Sequence, residues 1–163
     1  METTVRDQSR ENWMIRIALV GCGRIAKRHS ELLGRGEIPG AELVGVTDID
    51  SQRAEEIGER FGVPHFTDMD EMMGTVRPDA VSILTPSGDH ADHTVRLAPY
   101  GKVIIVEKPM ALTLDDADRM IRACDASGCR LFVVKQNRFN LPVLRLREAI
   151  DSGRLGRLVS GSV

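Results

Sequence analysis

Several common architectures are excluded by what this sequence lacks. It has three cysteines in 163 residues, Cys22, Cys124 and Cys129, and no two of them stand in a CxxC spacing. An odd number of thiols without that pattern fits neither a disulfide frame nor a cysteine zinc site, so reduced thiols and a cytoplasmic location are expected, with no metal. Charge of one sign is also missing: 22 basic and 24 acidic residues are spread along the length for a net charge of −2. A chain so balanced has no face built to neutralise a phosphate backbone, which argues against nucleic acid and anionic membrane as partners. Long hydrophobic runs are absent too. The longest, such as Ile15 to Val20 and Val103 to Val106, fall far short of the ~20 apolar residues that span a bilayer. Residues 1–12 (METTVRDQSREN) have no apolar core of the signal-peptide kind and are expected to be a flexible tail. There is no low-complexity stretch and no motif-level repeat.

What is present is an alternation. Short β-branched runs recur with helix-length amphipathic stretches between them, the mark of βαβ crossovers and a mainly parallel sheet. Strands are expected at Met14 to Val20, Ala41 to Asp48, Pro64 to Phe66, Asp79 to Thr85, Lys102 to Val106 and Arg130 to Val134. Helices are expected at Arg24 to Arg35, Ser51 to Phe61, Asp68 to Gly74, Asp89 to Ala98, from Thr113 to Gly128, and at Leu141 to Asp151. Thr113 can cap its helix, with Asp115 and Asp116 at the positive end and Gly128 past the last turn. The expected fold class is therefore α/β: a Rossmann-type, doubly wound, mainly parallel sheet of about six strands in three αβα layers. The domain is expected over residues 13–153, with the Gly153 to Gly156 turn as boundary. Residues 154–163 contain a β-like run, Leu158 to Val163, and read as the start of a further domain that the sequence does not contain.

Gly21-Cys22-Gly23-Arg24-Ile25-Ala26 leaves the first strand and opens the first helix, placing a GxGxxA loop in the context that gives the pattern meaning. Gly21 permits the tight turn, Gly23 lets the backbone approach a pyrophosphate, and Ala26 allows close helix packing. The helix then aims free amides and partial positive charge at the phosphates. A glycine turn without a ligand is the bland alternative. Asp48 ends the second strand about 25 residues after Gly23, near the offset of the acid that binds the adenosine ribose. A carboxylate there favours NAD over NADP, because it repels a 2′-phosphate. Arg53 nearby pulls the other way, and either Asp48 or Asp50 can instead cap the second helix.

Two later motifs fall at strand ends, the ligand edge of a doubly wound sheet. Thr85-Pro86-Ser87 follows the fourth strand, ahead of His90 and His93, which are three apart but lack a third metal ligand. His93 also reads as a partly exposed first-turn residue. Glu107-Lys108-Pro109 closes the fifth strand. A lysine held beside a nicotinamide can hydrogen-bond a substrate hydroxyl and stabilise the charge that develops on it, whereas a surface ion pair is the structural alternative.

Taken in order, GCGRIAKRH, TPSGDH, VEKPMALT and KQNRFN resemble the glucose–fructose oxidoreductase/inositol dehydrogenase (Gfo/Idh/MocA) family over about Met14 to Val163. The resemblance implies that Gly21, Gly23, Arg24, Ile25 and Asp48 contact the dinucleotide. It implies also that Thr85, Ser87, His90, Glu107 and Lys108 line its nicotinamide side, with Lys108 as the catalytic residue. The stretch Val134 to Pro142 is most similar to the subgroup that oxidises C3 of UDP-N-acetylglucosaminuronate, departing from the Arg-Arg-Phe of many relatives. On that reading Asn137 touches cofactor and substrate and Arg138 touches substrate; both can equally secure a loop. Family members carry a second α/β domain with an Asp and a His that complete the site, and they associate as homo-oligomers. The expectation is an NAD-binding half of a sugar or nucleotide-sugar dehydrogenase, without turnover by itself. A free sugar or inositol as substrate, or a nicotinamide-sensing module without chemistry, are the alternatives.

Overall fold

Parallel strands cannot be joined by tight hairpins, so each must be followed by a crossover, and this chain follows that rule throughout. In the computed structural model, which describes residues 13–162, the order is β1 (Ile15–Val20), α1 (Arg24–Gly34), β2 (Ala41–Thr47), α2 (Ser51–Phe61), β3 (His65–Phe66) and α3 (Met69–Val76). It continues with β4 (Ala80–Ile83), α4 (His90–Leu97), a 3-10 turn at Ala98–Tyr100, β5 (Val103–Val106), α5 (Leu114–Ser127) and β6 (Arg130–Val133). The tail expected over residues 1–12 lies outside the described residues. All six strands are parallel, in the order β3-β2-β1-β4-β5-β6. That is the doubly wound Rossmann order, with its switch point between β1 and β4.

Helices stand on both faces because the strand side chains alternate. Ala18, Val20, Val81, Ile83, Ile104 and Val106 pack with Met69, Met72 and Met73 of α3, Leu97 of α4 and Met120 of α5. Leu19, Leu43 and Val46 turn to the opposite face and meet Ala26 and Leu33 of α1 and Ala54 and Ile57 of α2. The result is three layers. Local chemistry starts and stops the helices: the Asp50 carboxylate accepts from the amides of Gln52 and Arg53, and that of Asp68 from Asp70 and Glu71. Thr113 caps α5 as expected, accepting from the Asp116 amide at 3.1 Å and donating to its carboxylate at 2.8 Å, and Gly128 ends the helix in the left-handed region.

The chain divides into two compact units, the first ending with β6 at Val133 and the second covering Val134–Val163. The second unit holds a 3-10 turn at Gln136–Phe139 and α6 (Leu141–Asp151), which starts with proline in its first turn. Gly153 and Gly156 take positive φ in the turn that follows. The β-like run expected from Leu158 forms no strand through Ser162: a strand needs a partner for its amides and carbonyls, and this run pairs with no strand among the described residues. No described helix is long and apolar enough to cross a membrane.

Replacing Thr113 by Ala should lower the unfolding free energy by about 1 kcal/mol, and Ser should retain most of it. Urea unfolding followed by circular dichroism measures the difference. Equal midpoints for Thr113→Ala and the wild type would show that the cap contributes nothing.

Candidate functional site

Strand register decides which loops can meet. Val20 of β1 pairs with Thr47 of β2 and with Ile83 of β4, and Ile83 pairs with Val106 of β5. Four strands therefore end in one row, and Gly21, Asp48, Leu84-Thr85 and Glu107-Lys108 leave the sheet along the same edge. In an open parallel sheet this carboxyl edge, at the switch point, is where ligands bind.

The two loop glycines differ in what they require. Gly21 has φ +95°, and a Cβ built on it would stand 2.9 Å from the Thr85 amide nitrogen and Cγ2 and 3.0 Å from the Leu84 carbonyl carbon. The protein's own backbone demands glycine there. Gly23 is the opposite case: its φ is −73°, and a Cβ would meet nothing within 4 Å. Open space beside an unstrained glycine is what a group approaching the backbone from outside would need. Gly23 is also the N-cap of α1, and no side chain caps that helix; α4 and α6 share this, whereas α2, α3 and α5 are capped by side chains. In the first turn of α1 the Ala26 amide donates to the Gly23 carbonyl at 3.1 Å, while the Arg24 and Ile25 amides have no acceptor among the described residues, and no acidic residue in that turn opposes an anion. Ala26, fully buried, lets α1 lie close on the sheet. Arg24 and Ile25 are exposed beside the loop.

Asp48 is half-buried and ties the loop to β2. Its Oδ2 accepts the Cys22 amide at 2.7 Å and its Oδ1 accepts the Asp50 amide at 2.9 Å, while the Gly21 amide donates to the Thr47 carbonyl at 2.8 Å. The cap of α2 falls to Asp50, which also holds Arg53 at 3.2 Å. Cys22, inside the loop, is buried, and burial followed by the Asp48 charge pushes its thiol up to about 12. It stays protonated near neutrality, so the loop carries no nucleophile. All three cysteines are free and buried.

At the other end of the row, Thr85 Oγ1 lies 3.0 Å from His93 Nδ1. Burial lowers the His93 pKa below the ordinary histidine value, with the charges of Asp89 and Asp92 opposing that shift. Ser87 is half-buried in the following turn. His90 is 1% exposed; its Nδ1 faces the Pro109 carbonyl at 2.8 Å and its Nε2 the Thr85 carbonyl at 3.0 Å, so neither ring nitrogen is free. Glu107 is buried. Its Oε2 accepts the Lys108 amide at 3.1 Å, and its Oε1 lies 3.4 Å from His29 Nε2 on α1. Lys108 is exposed, and its ammonium has no ion-pair partner among the described residues. The Lys108–Pro109 peptide is cis.

Gly21, Gly23, Arg24, Ile25, Asp48, Thr85, Ser87, His90, Glu107 and Lys108 all belong to the first unit, on or behind one edge of its sheet. Asn137 and Arg138 belong to the second, on its exposed 3-10 turn, where Asn137 Oδ1 accepts from the Asn140 amide group at 3.3 Å. Two residues given no role from the sequence take part in this network: His29 through Glu107, and His93 through Thr85. The only sequence signal for His29 is its place in the helix after the glycine loop, which by itself does not reveal a partner on β5.

Residues 15–135 match the model of the oxidoreductase family with an NAD-binding Rossmann fold. Inositol 2-dehydrogenase 3 of Saccharopolyspora erythraea is 32% identical over 143 residues, which are 87% of this chain and 42% of that protein. The chain thus spans about two fifths of the length of the curated relatives it matches. Among solved structures, the WlbA dehydrogenase of Bordetella pertussis in complex with NADH and UDP-GlcNAcA superposes with a TM-score of 0.82 at 39% identity, over 88% of this chain and 44% of that one. The scyllo-inositol dehydrogenase of Lactobacillus casei, with bound NAD(H) and scyllo-inositol, gives 0.81 at 26% identity over 88% and 42%. A family match across the whole sheet, on a chain whose glycine loop and strand order have the same form, has one reading: this chain belongs to the oxidoreductase family with an NAD-binding Rossmann fold.

Proposed function

We propose that the chain holds NAD across the carboxyl edge of its sheet, as the cofactor-binding domain of an enzyme that oxidises a secondary sugar hydroxyl. The observation that carries this reading is the contrast between the two glycines. Gly21 is demanded by the protein's own packing, whereas Gly23 and the uncapped start of α1 are explained by a pyrophosphate. Asp48 has lone pairs to spare beyond the two amides it accepts, and these suit ribose hydroxyls. The same charge disfavours the 2′-phosphate of NADP, and Arg53, held by Asp50, does little to offset it. Arg24 and Ile25 flank the phosphates, while Thr85, Ser87 and Glu107-Lys108 border the nicotinamide end, with His90 behind them. Bound there, the cofactor supplies the hydride acceptor. Lys108 provides an ammonium that hydrogen-bonds the substrate oxygen and stabilises the charge developing on it.

For the substrate we favour a nucleotide-linked uronic sugar, UDP-N-acetylglucosaminuronate oxidised at C3. The support is the Gln136-Asn137-Arg138-Phe139 stretch and the identity of 39% and 37% with two dehydrogenases crystallised with UDP-GlcNAcA. On this reading Asn137 and Arg138 contact the substrate, and Asn137 also the cofactor. The second reading is a free inositol or sugar, favoured by curated relatives that are inositol 2-dehydrogenases at 31–37% identity. Cytoplasmic location and homo-oligomeric assembly of a protein of the relatives' length complete the proposal.

Calorimetric titration with NAD+ tests the cofactor. Gly23→Ala should change the stability of the free chain by no more than about 1 kcal/mol yet weaken NAD+ binding by more than about tenfold. Gly21→Ala should lower stability by roughly 1–3 kcal/mol as well as binding. An alanine at 23 that binds NAD+ like glycine would remove the main support for the site. Lys108→Ala should leave NAD+ affinity within about threefold of the wild type. In a protein of the relatives' length that carries this domain, it should reduce NADH formation by about 100-fold or more. Absorbance at the NADH band, with UDP-N-acetylglucosaminuronate and inositols offered in parallel, reads the loss and separates the two substrates. Undiminished turnover would end the catalytic assignment of Lys108.

A further inference from the structure

His90 is one of the largest fully buried side chains of the chain, yet it is polar. A leucine would fill that volume without the cost of burying a ring that must find partners. The partners it has are specific. Neither is in its own helix: one is the carbonyl of Thr85, five residues back at the end of β4, and the other that of Pro109, nineteen residues on, just past Lys108. Both are main-chain oxygens of segments that border the proposed nicotinamide end. Each neutral tautomer of the ring donates to one of them, and a ring with hydrogen on both nitrogens donates to both.

We infer that His90 is a positioning residue, whose ring, donating from both nitrogens, ties the turn after β4 to the segment after β5 through the carbonyls of Thr85 and Pro109 and so fixes where the Thr85 hydroxyl and the Lys108 ammonium stand. The second segment is held from a further side. Glu107 accepts the Lys108 amide while its other oxygen faces His29 on the phosphate-loop helix, so Lys108 is flanked by residues anchored to α4 and to α1. Thr85 is likewise held twice, its carbonyl facing His90 and its hydroxyl His93. Two separate segments at a sheet edge become one surface by this means, and the ring itself touches no ligand. The inference rests on the dinucleotide reading only for what that surface receives.

The test compares His90→Phe, which keeps the ring shape without donors, with His90→Gln, which keeps a donor. NAD+ and ADP-ribose, which lacks the nicotinamide, are titrated into each variant and into the wild type. His90→Phe should weaken NAD+ by about tenfold and ADP-ribose by less than about twofold, with His90→Gln recovering part of the NAD+ loss. Equal changes for the two ligands, or no change for either, overturn the inference. Amide hydrogen exchange of the free chain is the second arm. The Lys108 and Asp89 amides should exchange about tenfold faster in His90→Phe, with those of Leu19 and Val46 unchanged. Acceleration shared by all four marks an ordinary core residue and overturns the inference, as does acceleration of none. If the wild type binds neither ligand, the dinucleotide reading fails and the exchange arm alone decides the tie. Should His90→Phe not fold, His90→Gln is judged by the same ratios.

Discussion

Everything at the proposed site depends on the register of parallel main-chain pairing. Because β1, β2, β4 and β5 run the same way and end in one row, each chain exit falls on one edge, and each return has to travel over a face of the sheet. Both faces are apolar and hold the returning helices down. The edge is left free of that packing, and this is where glycine, acid, threonine and lysine accumulate. Function here is a by-product of directionality: a sheet that must be covered on both sides has only its ends to offer.

A second level of order lies on that edge. The loops that leave it are not independent, for each is held by a side chain of another element: the glycine loop by Asp48 after β2, the Thr85 turn by His90 and His93 of α4, the Glu107-Lys108-Pro109 segment by His29 of α1 and His90 of α4. Most of these bonds run from a side chain to a main-chain group. A carbonyl or amide is present whatever residue occupies its position, so the architecture is held by a few side chains acting on the backbone, and the residues that face outward are left to vary in chemistry.

Much of this was legible in the residues. Short β-branched runs with amphipathic stretches between them placed six strands and six helices, and capping chemistry located ends, as at Thr113 and Gly128. The glycine loop was legible because its context, strand before and helix after, is local. Long-range pairing was not. His29 and Glu107 lie 78 positions apart and meet only because β5 comes to lie beside β4 in the sheet. For His90, nothing local in the sequence reveals that each of its ring nitrogens faces a main-chain carbonyl of another segment. The choice between Asp48 and Asp50 as cap of α2 was likewise settled only by direction: the Asp50 carboxylate turns into its helix, and that of Asp48 turns back across the sheet edge to Cys22. At the C-terminal end, a β-like composition at Leu158 was insufficient, because a strand is a property of a pair.

The bond from the Cys22 amide to Asp48 has a bearing on any effort to redesign coenzyme choice. Exchanging that acid for a neutral or basic residue is the usual route toward accepting an extra phosphate on the adenosine sugar. Here the same carboxylate restrains the main chain between Gly21 and Gly23, so its removal would slacken the turn that, on the proposed reading, cradles the diphosphate. A successful redesign must supply a replacement acceptor for that amide along with the new cation, and single exchanges at this position should trade away grip on both coenzymes at once.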